Sequence, residues 1–186
     1  KKMILAASLS GATTAKFQYW NPSKLKKGTW DNDGRRQIYE SAQLSEDKII
    51  QLYNICNENN LKFMVSVFNS EDAKFVATIS KENIKIPSHE VNNIDLISYS
   101  LDNFSKVYIS LGACSEKELD DVATLINLKR CGDRNVVVMH CVSSYPCNID
   151  RMNLGRLDAL SLRLDNTLGL SDHSTSVLVP SFAVMK

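Results

Sequence analysis

The sequence predicts an α/β fold in which parallel strands alternate with covering helices and close into a barrel. Two observations predict the class: apolar strand-like segments alternate with segments of helical periodicity, and the linkers between them are short. These two leave open a doubly wound open sheet or a closed barrel. A third, that polar residues fall at or just after the C-terminal ends of the strands, favours the barrel. A barrel gathers all such positions around one mouth, whereas an open sheet concentrates ligand contacts at its switch point.

Segment 1–10 carries Met3, Ile4, Ala7 and Leu9 at helical spacing and stops at Gly11. Segment 12–19 is a short strand containing Lys16, Phe17 and Gln18, and a polar loop from Trp20 to Arg36 is long enough to suggest function. Ser45 opens an amphipathic helix through Ile49, Leu52, Tyr53 and Cys56 that closes near Asn59 and Asn60, although Lys48 leaves the capping box incomplete. Segment 61–68 reads as a strand and 70–80 as a helix. Strand 83–87, helix 93–102 and strand 106–111 follow, then helix 115–128 with Ser115 and Glu118 at capping-box spacing. The most apolar strand is 135–142; helix 153–163, strand 167–170 and a last helical segment from Val177 complete six strands and seven helical stretches.

At 186 residues, 44% hydrophobic and 23% charged, the composition is that of a globular chain with a sizeable core. Twenty-two basic residues against 21 acidic ones leave no global field for nucleic acid or an acidic membrane surface, so any anion site is local. No apolar run reaches the roughly 20 residues of a membrane span, and the N-terminus lacks the architecture of a secretory signal. Five cysteines (Cys56, Cys114, Cys131, Cys141 and Cys147), odd in number and without CxxC spacing, read as reduced thiols in a cytoplasmic protein. Neither GxGxxG nor GxxxxGK[ST] occurs, which argues against a nucleotide cradle.

Lys16 and Lys85, with Ser66, Ser88 and Ser110 at neighbouring strand ends, would make a pocket for a phosphorylated or carboxylated small molecule. Taken singly, each lysine reads equally as a solvated surface residue and each serine as a turn or cap residue. Glu90, after Pro87-Ser88-His89, is either a mouth carboxylate able to act as acid, base or aldehyde-orienting group, or a helix-start carboxylate facing the dipole. His140, embedded in an apolar strand, reads as a packing histidine, whereas His173 on the polar loop Ser171-Asp172-His173-Ser174 reads as a ligand or catalyst.

Five segments in order, Ala15-Lys16-Phe17-Gln18, Lys85-Ile86-Pro87-Ser88 with Glu90, Ser110-Leu111-Gly112, His140-Cys141 with Tyr145-Pro146, and Gly169-Leu170-Ser171-Asp172-His173, resemble the sialic acid synthase family, including the legionaminic and pseudaminic acid synthases. The resemblance implies a (β/α)8 TIM barrel that joins C3 of phosphoenolpyruvate to the aldehyde carbon of an open-chain N-acylmannosamine-like amino sugar and releases phosphate. It implies a divalent metal, typically Mn2+ with Mg2+ as the alternative, polarising the aldehyde, with His173 as a ligand and with Glu90 and His173 as catalytic residues. Lys16, Ser66, Lys85, Ser88 and Ser110 match phosphoenolpyruvate-binding positions, with Ser171 beside them, and Gln18 and Tyr145 match sugar contacts. It further implies a homodimer for the full-length protein.

Relative to that family, residues 1–186 form a single partial barrel domain, without the first and last strands, the second metal histidine or the C-terminal antifreeze-like domain. Ser66-Val67 replaces a usual Thr-Pro, Leu111 a Thr, and Ser143 stands where some members carry a sugar-contacting Asn. A noncatalytic carbohydrate-binding or scaffold module derived from the same barrel is the alternative reading, and a Schiff-base aldolase using Lys85 is a third.

Overall fold

The computed structural model describes residues 1–25, 27–129 and 135–186, so Cys131, and Lys26 of the long loop, lie outside the described residues. The chain forms two compact units, Lys1–Ile84 and Lys85–Lys186.

In the first unit, α1 (Lys2–Leu9) leads to β1 (Thr14–Gln18), and two 3-10 turns, Pro22–Lys24 and Thr29–Asp31, precede α2 (Arg35–Ala42). Helix α3 (Glu46–Glu58), β2 (Lys62–Ser66) and α4 (Ser70–Ile79) follow. Strands β1 and β2 pair in parallel with Lys16 opposite Met64 and Gln18 opposite Ser66, as a crossover through α3 requires. Phe63, Met64, Val65 and Ser66 are all buried, the near-continuous burial expected of a strand covered on both faces. Ile49 and Cys56 turn inward from α3, and the rings of Tyr53 and Phe63 meet edge to face at 5.5 Å. Caps set the helix starts: Ser45 accepts from the Lys48 amide and Asn69 from that of Asp72.

Helix α2 overlaps the expected loop only at Arg35 and Arg36 and otherwise occupies residues 37–42, for which the sequence predicts no element. None of its residues is buried, so it has no apolar stripe for periodicity to detect. What holds it is local: the Trp20 indole donates to the Tyr39 carbonyl at 3.1 Å, Trp20 and Trp30 both meet the Tyr39 ring edge-on, and Arg36 bridges Asp31 and Glu40.

Strand β3 (Asn83–Ile86) closes the first unit with two residues and opens the second with two. The second unit continues through a 3-10 turn at Ser88–Glu90, α5 (Ile94–Asn103), β4 (Lys106–Ser110), α6 (Glu116–Leu128) and β5 (Val136–Cys141). A 3-10 turn at Ile149–Arg151, α7 (Gly155–Ser161), β6 (Thr167–Ser171) and α8 (Val179–Val184) complete it. Strands β4, β5 and β6 lie side by side, all parallel, with Ser110 opposite Met139 and Cys141 opposite Ser171. Both halves of the expected capping box form at Ser115 and Glu118. The four described cysteines are free thiols, and no helix among the described residues is long and apolar enough to cross a membrane.

Candidate active site

In the first unit Lys16 and Ser66 come together, although Lys16 lies in the middle of β1, opposite Met64, rather than at the strand end the sequence suggested, and only Ser66 ends its strand. Lys16 Nζ donates to Ser66 Oγ at 3.5 Å, a long contact; Ser66 is buried, and its carbonyl accepts from the Tyr19 amide at 3.0 Å. Burial among protein atoms lowers the pKa of the Lys16 ammonium, yet its accessible surface is that of an exposed residue. Water contact decides here, because solvent screening restores the charged form. Gln18, at the end of β1, is exposed.

The second unit holds the denser cluster. Lys85, 7% exposed, extends from β3 so that Nζ lies 2.5 Å from Ser110 Oγ and 3.2 Å from Ser171 Oγ, with Met139 Sδ at 3.3 Å. A lysine at the end of one strand thus meets hydroxyls from the ends of β4 and β6, as the strand-end pattern predicted. An ammonium in a low-dielectric setting with rotatable hydroxyl donors beside it suits a phosphate or carboxylate, whose charge gains more there than in water.

Beside that group, Ser88 Oγ accepts from the Gly112 amide at 3.0 Å. Glycine is required at 112 by close approach: a Cβ there would meet Ser143 Oγ at 2.6 Å and both Cys141 Sγ and Ser88 Oγ at 2.9 Å. Leu111, the preceding residue, has its carbonyl held by Arg156 Nη1 at 3.2 Å. Glu90 is 2% exposed, ends the 3-10 turn Ser88–Glu90, and its Oε2 accepts at 2.9 Å from Nδ2 of Asn93, the N-cap residue of α5, so it is buried and hydrogen-bonded at a helix start, a placement that fits both readings of the sequence.

His173 follows β6, and its Nδ1 lies 2.8 Å from the carbonyl oxygen of Val142, with Cys141 Sγ at 3.9 Å. A carbonyl oxygen only accepts, so Nδ1 carries the proton and the lone pair resides on Nε2, the tautomer that a metal-binding imidazole needs. The ring of Tyr145, 78% exposed, lies on that imidazole with centroids 3.9 Å apart and planes 31° from parallel. One imidazole does not hold a metal, and among the described residues no three His, Cys, Asp or Glu side chains gather as a ligand set. The donors described here therefore do not make up a metal site by themselves.

His140 is buried, as its apolar strand setting implied, with Nε2 2.7 Å from the Met152 carbonyl; burial holds its pKa below the usual histidine range. Burial pushes the Cys114 thiol up to about 11, so it is protonated at neutral pH and no nucleophile. Sequence reasoning missed Met139 beside Lys85 and the Val142 carbonyl behind His173. Strand alternation places Met139 and Cys141 on one face and could have found the first; a backbone carbonyl has no side-chain signal to read.

The NeuB family model matches residues 3–186. The chain is 26% identical over 200 residues to the N,N'-diacetyllegionaminic acid synthase of Legionella pneumophila, covering 99% of this chain and 55% of that protein. It is 28% identical over 194 residues to a pseudaminic acid synthase of Campylobacter jejuni, covering 98% and 56%. The chain thus spans about half the length of the curated relatives it matches. Among solved structures, the N-acetylneuraminic acid (sialic acid) synthetase of Leptospira borgpetersenii, in complex with citrate, superposes with a TM-score of 0.89 at 26% identity, over 98% of this chain and 62% of that one.

Proposed function

The chain belongs to the NeuB family, and from that premise we propose that it carries much of the active-site shell of a synthase that condenses phosphoenolpyruvate with an N-acylmannosamine-like amino-sugar aldehyde. C3 of phosphoenolpyruvate bonds to the aldehyde carbon, water is consumed, and a nonulosonic acid and phosphate leave. The observation that carries this reading is the buried Lys85 ammonium with Ser110 and Ser171 hydroxyls at 2.5 and 3.2 Å. It suits a small dianion and needs no nucleotide loop.

In this reading Lys85, Ser88, Ser110 and Ser171 bind phosphoenolpyruvate. Lys16 and Ser66 are assigned phosphoenolpyruvate contacts, and Gln18 a sugar contact, on the resemblance, with Ser66 and Gln18 also the last residues of their strands. Glu90, buried and held by Asn93, orients the aldehyde or moves its proton, since a fixed carboxylate loses little freedom on binding. Tyr145 offers an exposed ring to the acceptor sugar. His173, with Nδ1 committed to Val142, would offer Nε2 to a divalent metal, Mn2+ or Mg2+, for which the described residues supply no group of three His, Cys, Asp or Glu side chains. Such a metal would supply Lewis-acid polarisation of the aldehyde oxygen.

A closed (β/α)8 barrel belongs to the same proposal, supported by the parallel strands within each unit, while a homodimer rests on the resemblance alone and a cytoplasmic location on the free cysteines. The test is phosphate release from phosphoenolpyruvate by the full-length natural protein, with Mn2+ and a panel of N-acylated hexosamines including N-acetylmannosamine. Release that needs both sugar and metal is expected. No release with any sugar, from folded protein that binds phosphoenolpyruvate, would favour a noncatalytic carbohydrate-binding module.

A further inference from the structure

His140 has no part in the reading above, yet it is 1% exposed and makes one short polar contact. Its neighbours in β5 fix its direction. Met139 Sδ touches Lys85 Nζ, and Cys141 Sγ lies 3.9 Å from His173 Nδ1, so residues 139 and 141 share the face of the site. His140, between them, points to the opposite face. There Nε2 lies 2.7 Å from the Met152 carbonyl, which only accepts, so Nε2 bears the proton. Nδ1 is buried with no hydrogen-bond partner. An apolar side chain would fill this space without the orphaned Nδ1 but would take the donor from the Met152 carbonyl, so packing alone does not account for an imidazole here. The feature that only the imidazole supplies is the N–H donor.

Met152 ends the segment 142–152, which carries Tyr145. The segment is tied at its start, where the Val142 carbonyl accepts from His173 Nδ1, and in its middle, where the Cys147 amide donates to the His173 carbonyl at 2.9 Å. Cys147 and Met152 share a small apolar cluster with Val179. The far end is tied by His140 alone among the described side chains that hydrogen-bond to Met152.

We propose that His140 is a positioning residue: its Nε2–H fixes the Met152 carbonyl and so holds the 142–152 segment with the Tyr145 ring over the His173 imidazole, where the acceptor sugar is bound. The naming of the acceptor rests on the synthase reading; the anchoring of the segment does not. Burial lowers the pKa of the imidazole, and protonation would add an Nδ1–H with nothing to accept it.

The experiment compares His140→Leu, which removes the donor, with His140→Gln, whose amide restores one at similar reach, in the full-length protein. Exchange of the Cys147 amide proton and the KM values for phosphoenolpyruvate and for acceptor are the readouts. His140→Leu is expected to speed Cys147 exchange and to raise the acceptor KM by about 5- to 10-fold each, the loss of one buried hydrogen bond, while the phosphoenolpyruvate KM stays within about twofold. His140→Gln should recover most of both. Equal impairment by the two variants, or no change in either, would overturn the proposal. If the protein shows no synthase activity, the exchange comparison still decides the anchoring, so failure of the synthase reading and failure of this one are told apart. Should His140→Leu not fold, the 15N resonances of the wild-type imidazole decide: protonated Nε2 is expected, and protonated Nδ1 would overturn the assignment.

Discussion

Lys85 Nζ lies 2.5 Å from Ser110 Oγ, a side chain from β3 meeting one from the end of β4, with the lysine 7% exposed. Replacing Lys85 with Ala removes the charge and leaves the hydroxyls to face an anion without it. Phosphoenolpyruvate binding should weaken by about 1.5–3 kcal/mol, the range for a hydrogen bond to a charged group. Titration calorimetry of the folded variant checks this, and an unchanged affinity would remove Lys85 from the anion site.

Tyr145 and His173 are stacked, with the tyrosine ring largely in solvent. Tyr145→Ala should raise the acceptor KM by about 3- to 10-fold, the worth of one aromatic contact, while Tyr145→Phe keeps most of the affinity. Steady-state kinetics with each substrate varied in turn separates this from any effect on phosphoenolpyruvate.

Metal dependence gives the third test. Dialysis against a chelator should abolish phosphate release, and added Mn2+ should restore it. His173→Ala should lose that restoration while retaining phosphoenolpyruvate binding, because Lys85, Ser110 and Ser171 do not depend on the imidazole for their contacts with one another. Restoration by Mn2+ in His173→Ala would exclude the histidine as a necessary ligand.

Asp72, in the first turn of α4 and 4% exposed, has its carboxyl pKa raised by burial, against the opposing pull of the Asn69 amide hydrogen bond. The folded pKa therefore lies above the unfolded value of about 3.9, and the folded state binds the proton more tightly. The resulting increment of stability is full below about pH 3.9 and is lost as pH rises through the folded value. Urea midpoints from pH 3.5 to 7 should show wild type losing stability with rising pH relative to Asp72→Asn. Parallel curves for the two proteins would contradict the shift.

Much of the fold was legible because burial imposes periods on the sequence. The strand at 136–141 declares itself by its consecutive valines, and α6 by Ser115 and Glu118 at the spacing of a capping box. Helix α2 was not legible, since its order comes from contacts of Trp20, Trp30 and Arg36 with neighbours rather than from an apolar stripe. In the site, Lys85, Ser110 and Ser171 could be named from strand-end position and family resemblance, and the structure brings them within hydrogen-bonding distance. The tautomer of His173 could not be read, because the group that sets it is the Val142 carbonyl, and the sequence does not reveal where a backbone oxygen points.

Gly112 offers a different consequence. Ser88 Oγ, Cys141 Sγ and Ser143 Oγ occupy the space a β-carbon would take, so side chains from the turn after β3 and from the end of β5 close on the turn after β4. Evolution can therefore retune this mouth unevenly. Ser143 is exposed and can be exchanged, provided the replacement turns away from residue 112. A side chain at 112 would instead push on Ser88, Cys141 and Ser143 at once, so variation at this turn is expected to run through position 143 while 112 stays fixed.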